Sequence, residues 1–268
     1  MTVELRHGLF LPPFDELANP RALAEVARLA EDRGWDGVFL WDHVMRPEIR
    51  PVADPWVALA AVATVTDRIR LGPMITPVVR RRPQILARQT VSLDVLSGGR
   101  LVLGLGLGVD SGRELSAFGE VLDDRERGRI LDEGARLLCD LWSGEEVDHD
   151  GPHFRANAVT FLPRPVQRPR IPMWFAARSL ARAPLRRASR YDGLFPIEVG
   201  PEEVAEMLAF VRLERGGLDG FDVATVGAPG ADPLPFAEVG VTWWMTSFWP
   251  PTTVDEVVSV ARSGPPRS

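Results

Sequence analysis

Short apolar runs alternate with stretches in which apolar residues recur every third or fourth position, and this rhythm predicts strands alternating with helices. Residues 5–11 read as a first strand. Pro20 opens a helix whose Leu23, Val26, Ala27 and Ala30 share one face, and Gly34 closes it. A strand at 37–41, a helix over about 54–66 and a strand at 69–72 come next. They are succeeded by a helix opened by Pro83, with Leu86, Thr90 and Leu93 on one face, and a strand at 101–104 leading into glycines. After Gly108 the rhythm slackens into a polar loop, which gives way near Asp124 to a helix striped by Ile130, Gly134, Leu137, Leu138 and Leu141. Residues 147–150 and 159–162, joined through Gly151-Pro152, predict a β-hairpin, so that 145–162 reads as an insertion. The alternation then resumes: strand 173–177, helix from Ser179, strand 193–196, helix with Val204, Met207, Leu208 and Val211, and strand 221–226. A short, poor helix at 232–239, a strand at 241–245 and a helix at 254–261 complete it.

Eight strands, each succeeded by a helical pattern, predict a (β/α)8 TIM barrel with a hairpin insertion and trimmed C-terminal units. The whole of 1–268 reads as a single barrel domain. An open doubly wound sheet is the competing arrangement. Barrel strands are buried on both faces, which accounts for runs that are continuously apolar. Asp36-Gly37-Val38-Phe39 returns loosely as Asp192-Gly193-Leu194-Phe195 four strands later, through half-barrel duplication or through chance.

Composition narrows the chemistry. All 31 basic residues are arginine, so Schiff-base catalysis, an internal pyridoxal aldimine and a lysine-bearing phosphate loop are excluded. A net charge of -6 gives polyanions no general attraction, and nucleic acid is not an expected partner. The one cysteine, Cys139, sits among leucines as a small hydrophobe and permits no internal disulfide. No apolar stretch approaches a membrane span and no signal-peptide core opens the chain, so the expected location is the cytoplasm.

Active sites of such barrels lie at the carboxyl ends of the strands, so the residues just past each strand are the first candidates. Asp42 and His43 come after the second strand, either as an acid/base pair or as a loop cap with a packed ring. Arg80-Arg81-Arg82 precede Pro83 at a helix start, where three cations oppose the helix dipole unless an anion lies close. That anion is a carboxylate of the fold or an acidic ligand. Gly104-Leu105-Gly106-Leu107-Gly108 leaves backbone bare for a flat ligand or for tight packing. Ala176-Ala177-Arg178-Ser179 has the outline of an anion site, with Ser179 as the expected helix cap. His149 and His153 flank the hairpin turn without a third ligand, and no metal site is expected. His7 reads as a hydrogen-bonded core or mouth residue.

Four ordered blocks carry a likeness to a known family: Gly34-Trp35-Asp36-Gly37-Val38-Phe39-Leu40-Trp41-Asp42-His43; Arg68-Ile69-Arg70-Leu71-Gly72 running to Thr76-Pro77; Leu93-Asp94-Val95-Leu96-Ser97-Gly98-Gly99-Arg100-Leu101; and Pro163-Arg164-Pro165-Val166-Gln167-Arg168-Pro169. Over about residues 5–200 the chain resembles the bacterial luciferase-like family of flavin- and deazaflavin-dependent oxidoreductases. The resemblance implies a barrel binding F420 or FMN at its mouth. It places Asp42 and His43 at the ring, a non-proline cis peptide near Met74-Ile75 with Thr76 beside it, and Gly106 and Gly108 along the ring or ribityl chain. Ala176, Ala177, Arg178 and Ser179 would receive the phosphate. Because the Asp-His pair is frequent among F420 users, F420 ranks ahead of FMN.

The leading expectation is therefore an F420-dependent oxidoreductase passing hydride to or from a small organic substrate, with His43 as acid/base oriented by Asp42 or by a backbone group. The alternatives are an FMN-dependent monooxygenase fed by a partner reductase, and a non-catalytic flavin-binding barrel. The resemblance also implies a homodimer. Substrate contacts are expected from 110–124 and 246–251, with Trp243, Trp244, Phe248 and Trp249 suited either to an apolar substrate or to packing.

Overall fold

The computed structural model describes residues 5–48 and 50–266. The first three units run β1 (Arg6–Leu11), α1 (Pro20–Asp32), β2 (Gly37–Leu40), α2 (Pro55–Ala63), β3 (Arg70–Pro73), β4 (Thr76–Pro77) and α3 (Pro83–Leu96). Then come β5 (Leu103–Gly106) and α4 (Asp124–Trp142), succeeded by the antiparallel hairpin β6 (Glu146–Asp150) and β7 (Arg155–Thr160). The chain closes with β8 (Met173–Ala177), α5 (Arg182–Ala188), β9 (Gly193–Pro196), α6 (Pro201–Arg215), β10 (Asp222–Gly227), α7 (Leu234–Glu238), β11 (Trp243–Ser247) and α8 (Val254–Ser263). Among the described residues no helix is long and apolar enough to cross a membrane.

One parallel sheet holds all strands except the hairpin, in the order β3-β2-β1-β11-β10-β9-β8-β5-β4. β3 and β4 are two halves of one stave: β3 pairs with β2, β4 pairs with β5, and the cis Met74–Ile75 peptide lies between them. The seam is closed by the Leu71 amide donating to the Arg100 carbonyl (3.2 Å) and the Val102 amide to the Leu71 carbonyl (2.9 Å). The eight staves therefore form the expected barrel, and α7, with five residues, is the expected short unit.

Local chemistry sets the element ends. Asn19 caps α1, the Asp54 carboxylate accepts the Trp56 and Val57 amides to cap α2, and Asp123 caps α4. Inside the barrel, Phe39, Trp174 and Trp243 meet with ring centroids 5.6 to 5.7 Å apart and plug the lumen. A Cβ at Gly37 would stand 2.8 Å from the Phe39 ring, and one at Gly193 only 2.3 Å from Trp174, so both glycines make room for the plug. The repeated Asp-Gly-hydrophobe-Phe segments share this job and a second one. Asp36 accepts the His7 amide (2.7 Å) and Asp192 accepts the Met173 amide (3.0 Å), each tying the start of its own stave to the stave before it.

Three of the four sequence blocks converge at the barrel end away from the mouth. Asp94 accepts from the Val166 amide, the Gln167 amide and the Gln167 side chain (2.7 Å), while Gln167 accepts from Arg70 at 2.9 Å. Arg100 is buried and donates to the carbonyls of Ala63, Thr66, Ile69 and Ser97. These segments hold the barrel shut at that end, and of the three blocks only the second reaches the mouth, through Thr76.

Several boundaries depart from the sequence reading: the second hairpin strand runs 155–160 instead of 159–162, and the last stave 243–247 instead of 241–245. The fourth stave runs 103–106 instead of 101–104, so Gly104 and Gly106 lie within it. Helix α5 starts at Arg182 with Ala181 at its cap, so Ser179 is not the cap residue.

Candidate active site

Asp42 and His43 emerge together from β2 but turn to different partners. The Asp42 side chain is fully buried and accepts from Thr76 Oγ1 (2.7 Å), from Arg81 Nη2 through both oxygens (2.9 and 3.0 Å) and from Arg80 Nη2 (3.3 Å). Arg80 also donates to the Asp42 carbonyl (2.7 Å) and to Glu114 Oε2. The other Glu114 oxygen lies 2.5 Å from His43 Nδ1. The result is a buried relay from Thr76 and Arg81 through Asp42, Arg80 and Glu114 to His43, in which two carboxylates neutralise two guanidinium groups.

This geometry corrects the expected division of labour. Every face of the Asp42 carboxylate is engaged, so Asp42 holds Arg80 and Arg81 in place and does not orient His43. Glu114 does that, and sequence reasoning missed it. It stands in the polar loop after β5, where Asp110 Oδ1 organises the backbone by accepting the Leu115 and Ser116 amides (2.8 and 3.0 Å). A single acid there carries no spacing signal. The arginine triplet resolves as well: fold carboxylates neutralise Arg80 and Arg81, and exposed Arg82 caps α3 without a side-chain bond.

The glycine run serves the neighbouring stave. A Cβ on Gly106 would fall 2.0 Å from Ile75 Cδ1, and one on Gly104 would fall 2.4 Å from Met74 Sδ. Both are needed because Met74 and Ile75 lean across from the interrupted third stave. Gly108 takes φ +78°, where side chains are disfavoured, against Pro77. Thr76 and Met74 are buried, while Ile75 stays partly open with Ala176, Ile197 and Val226 over the aromatic interior. Together these four form an apolar floor to the mouth.

Ala177 ends β8 and is buried, whereas Arg178 and Ser179 are exposed beyond it. Arg178 pairs with Glu198 at 2.5 Å. Because all staves are parallel, Asp42-His43 and Ala176–Ser179 lie on the same rim, three staves apart.

Residues 6–229 match the family model described as luciferase-like monooxygenase. The chain belongs to this luciferase-like family. An F420-dependent glucose-6-phosphate dehydrogenase from Microbacterium testaceum is 33% identical over 183 residues, covering 66% of this chain and 52% of that protein. The chain spans about half the length of the curated relatives it matches. Among solved structures, the F420-dependent tetrahydromethanopterin reductase from Methanopyrus kandleri superposes with a TM-score of 0.79 at 18% identity, over 97% of this chain and 98% of the other. A monooxygenase from Streptomyces bottropensis does so with 0.77 at 21% identity, over 96% and 97%. At these identities the likeness is one of fold.

Outside the mouth, the remaining histidines of this luciferase-like chain do structural work. His149 Nε2 (2.9 Å) and His153 Nδ1 (2.5 Å) both meet the buried Glu133 of α4, and His153 Nε2 meets Glu126 (2.7 Å), so the hairpin is latched to α4. Burial works to raise the Glu133 carboxyl, but bonds from His149, His153 and the Phe154 and His153 amides prevail and hold it at about 2. His7 lies near the start of β1, far from the mouth, with no hydrogen-bond partner for its Nδ1 among the described residues. Burial lowers its pKa despite Asp36. Burial also pushes the Cys139 thiol up to about 11, which removes it as a nucleophile. Trp243, Trp244 and Phe248 are buried, and Trp249 alone of that group is exposed.

Proposed function

We propose that this luciferase-like chain is an F420-dependent oxidoreductase acting on a small organic substrate, with His43 as its acid/base. The observation that carries the reading is the 2.5 Å pairing of His43 Nδ1 with Glu114 at the barrel mouth. Fixing Nδ1 on a carboxylate sets the tautomer and leaves Nε2 to exchange a proton with substrate.

The mouth fits a flat phosphorylated redox group. Its floor of Ile75, Ala176, Ile197 and Val226 is apolar and partly open, and the Ser247 hydroxyl at the end of β11 is buried without a partner among the described residues. A planar heterocycle with polar edges satisfies both. In this reading Met74, Ile75 and Thr76 support the ring, Gly106 and Gly108 let it approach the backbone, and Asp42 and His43 border it. Ala176 and Ala177 lead the chain to the phosphate, which the exposed Arg178-Ser179 segment takes, the Arg178 guanidinium exchanging Glu198 for it. Bound F420 supplies the hydride chemistry. The chain's own residues position the two reactants, exclude water and move the proton.

The family model's description, luciferase-like monooxygenase, favours monooxygenation as a second reading, for which we infer FMN as the cofactor, reduced by a separate reductase. Titrating the purified protein with F420 and with FMN, monitored by visible absorption, separates the two. F420 binding with F420-linked turnover is expected. Tight FMN binding without F420 binding overturns the assignment, and absence of turnover with either leaves a binding barrel. A homodimer in the cytoplasm belongs to the same proposal.

A further inference from the structure

Around the rim, the mouth divides into two arcs of different chemistry. Over the staves β3/β4, β5, β8, β9 and β10 the floor is small and aliphatic. Over the other three adjacent staves, β11, β1 and β2, it is aromatic: Phe14 lies past the end of β1, Trp41 past β2 and Trp249 past β11. Trp249 stands edge-on to Trp41 at 4.9 Å, and Phe14 meets Trp41 edge-on at 5.9 Å. The His43 ring lies 5.8 Å from both Phe14 and Trp41, so the proposed acid/base is part of this arc.

Two features distinguish the arc from ordinary packing. Trp249 is 60% exposed, although Trp243, Trp244 and Phe248 beside it in sequence are buried. An indole left in water next to the mouth forgoes hydrophobic stabilisation that a flat ligand would restore. The second feature is Arg46. Its guanidinium sits over Phe14 (5.6 Å) and Trp41 (6.0 Å), and unlike Arg80 and Arg81 it has no carboxylate partner among the described residues. A cation so placed, stacked but unneutralised, is ready to pair with an anion.

We propose that Trp41, Trp249 and Arg46 form the substrate subsite, and that it selects a planar aromatic or conjugated molecule bearing an anionic group. The ring lies against the exposed Trp249, which the buried Trp41 backs from the interior, and the anionic group pairs with Arg46, which leaves the reacting atoms beside His43. The proposal rests on the oxidoreductase reading for the reaction at those atoms, but not for binding itself. Its test is calorimetric titration of the protein, with and without F420, using 2-naphthoate, 2-naphthamide and cyclohexanecarboxylate as probes. Naphthoate should bind about tenfold more tightly than either of the others. Arg46→Ala should abolish its advantage over the amide. Trp249→Ala should weaken both aromatic probes about tenfold, and Trp249→Phe should restore most of the loss. Equal affinity for the three probes, or naphthoate binding unchanged in Arg46→Ala and Trp249→Ala, overturns the proposal. The titration without F420 stands even if the protein proves to use another cofactor.

Discussion

Nδ1 of His43 lies 2.5 Å from Oε1 of Glu114, a residue 71 positions further along the chain. His43 comes from the end of a stave and Glu114 from a loop across it, so the pair exists only in the closed barrel. If His43 transfers the proton, His43→Ala lowers turnover on the order of 10² to 10⁴-fold. Glu114→Gln keeps a hydrogen-bonding group for Arg80 but loses the carboxylate facing the imidazole, and lowers kcat by about tenfold to a hundredfold through misorientation. Steady-state kinetics of the two variants test this. Unaltered kcat in His43→Ala removes the residue from the reaction.

Asp42 has a different signature. It touches Thr76, Arg80 and Arg81 and no imidazole, so its loss strands the largely buried Arg81 guanidinium and leaves Arg80 with Glu114 alone. Asp42→Ala should therefore destabilise the fold by about 3 to 5 kcal/mol, the range for breaking a buried ion pair from one side. Urea denaturation measures it. A loss of activity with no shift of the midpoint would instead make Asp42 a participant in the chemistry.

Much of the barrel was legible because local and global signals agree. Residues 173–177 and 193–196 are apolar runs bounded by proline, glycine or polar residues, and both strands fall where those runs do. The fourth stave was displaced because Leu101 and Val102 are as apolar as any strand residue, yet they serve the seam with Leu71. Ser179 resembles a helix cap, but the chain runs on through Leu180 and Ala181 before turning helical at Arg182. At the mouth the sequence points to His43 through its place after a stave. Its partner lies in a loop without periodicity, and a tertiary pairing of one acid with one histidine leaves no local trace. The same holds for Arg80, whose two carboxylates come from opposite sides of it in the chain.

Gly106→Ala examines the floor. The added methyl would come within 2.0 Å of Ile75 Cδ1, and Ile75 can move only into the open mouth or against Ala176. Overpacking of this kind typically removes about 1 to 3 kcal/mol of stability. Because the displaced side chain intrudes on the proposed ring site, F420 affinity should fall by more than stability does. Thermal melts and F420 titration of the same variant compare the two. Wild-type affinity in a folded variant would place the ring elsewhere.

The hairpin latch sets a pH dependence whose direction is dictated by its charges. Glu133 is held at about 2 against an ordinary 4.5, so its contribution to stability is complete above about pH 4.5 and is lost as pH falls towards 2. His153 is displaced the other way: hydrogen bonds to Glu126 and then Glu133 raise its pKa, and only burial opposes them. Its contribution is therefore complete below about pH 6.5 and is lost as pH rises through the raised value. Urea midpoints measured from pH 3 to pH 9 should fall at both ends. Glu133→Gln should flatten the acid limb and lower the plateau, since His149 and His153 lose their shared carboxylate. His153→Ala should leave most of the acid limb, because His149 and the Phe154 amide still hold Glu133, while removing the alkaline decline. An alkaline decline that survives in His153→Ala would show that another group controls it.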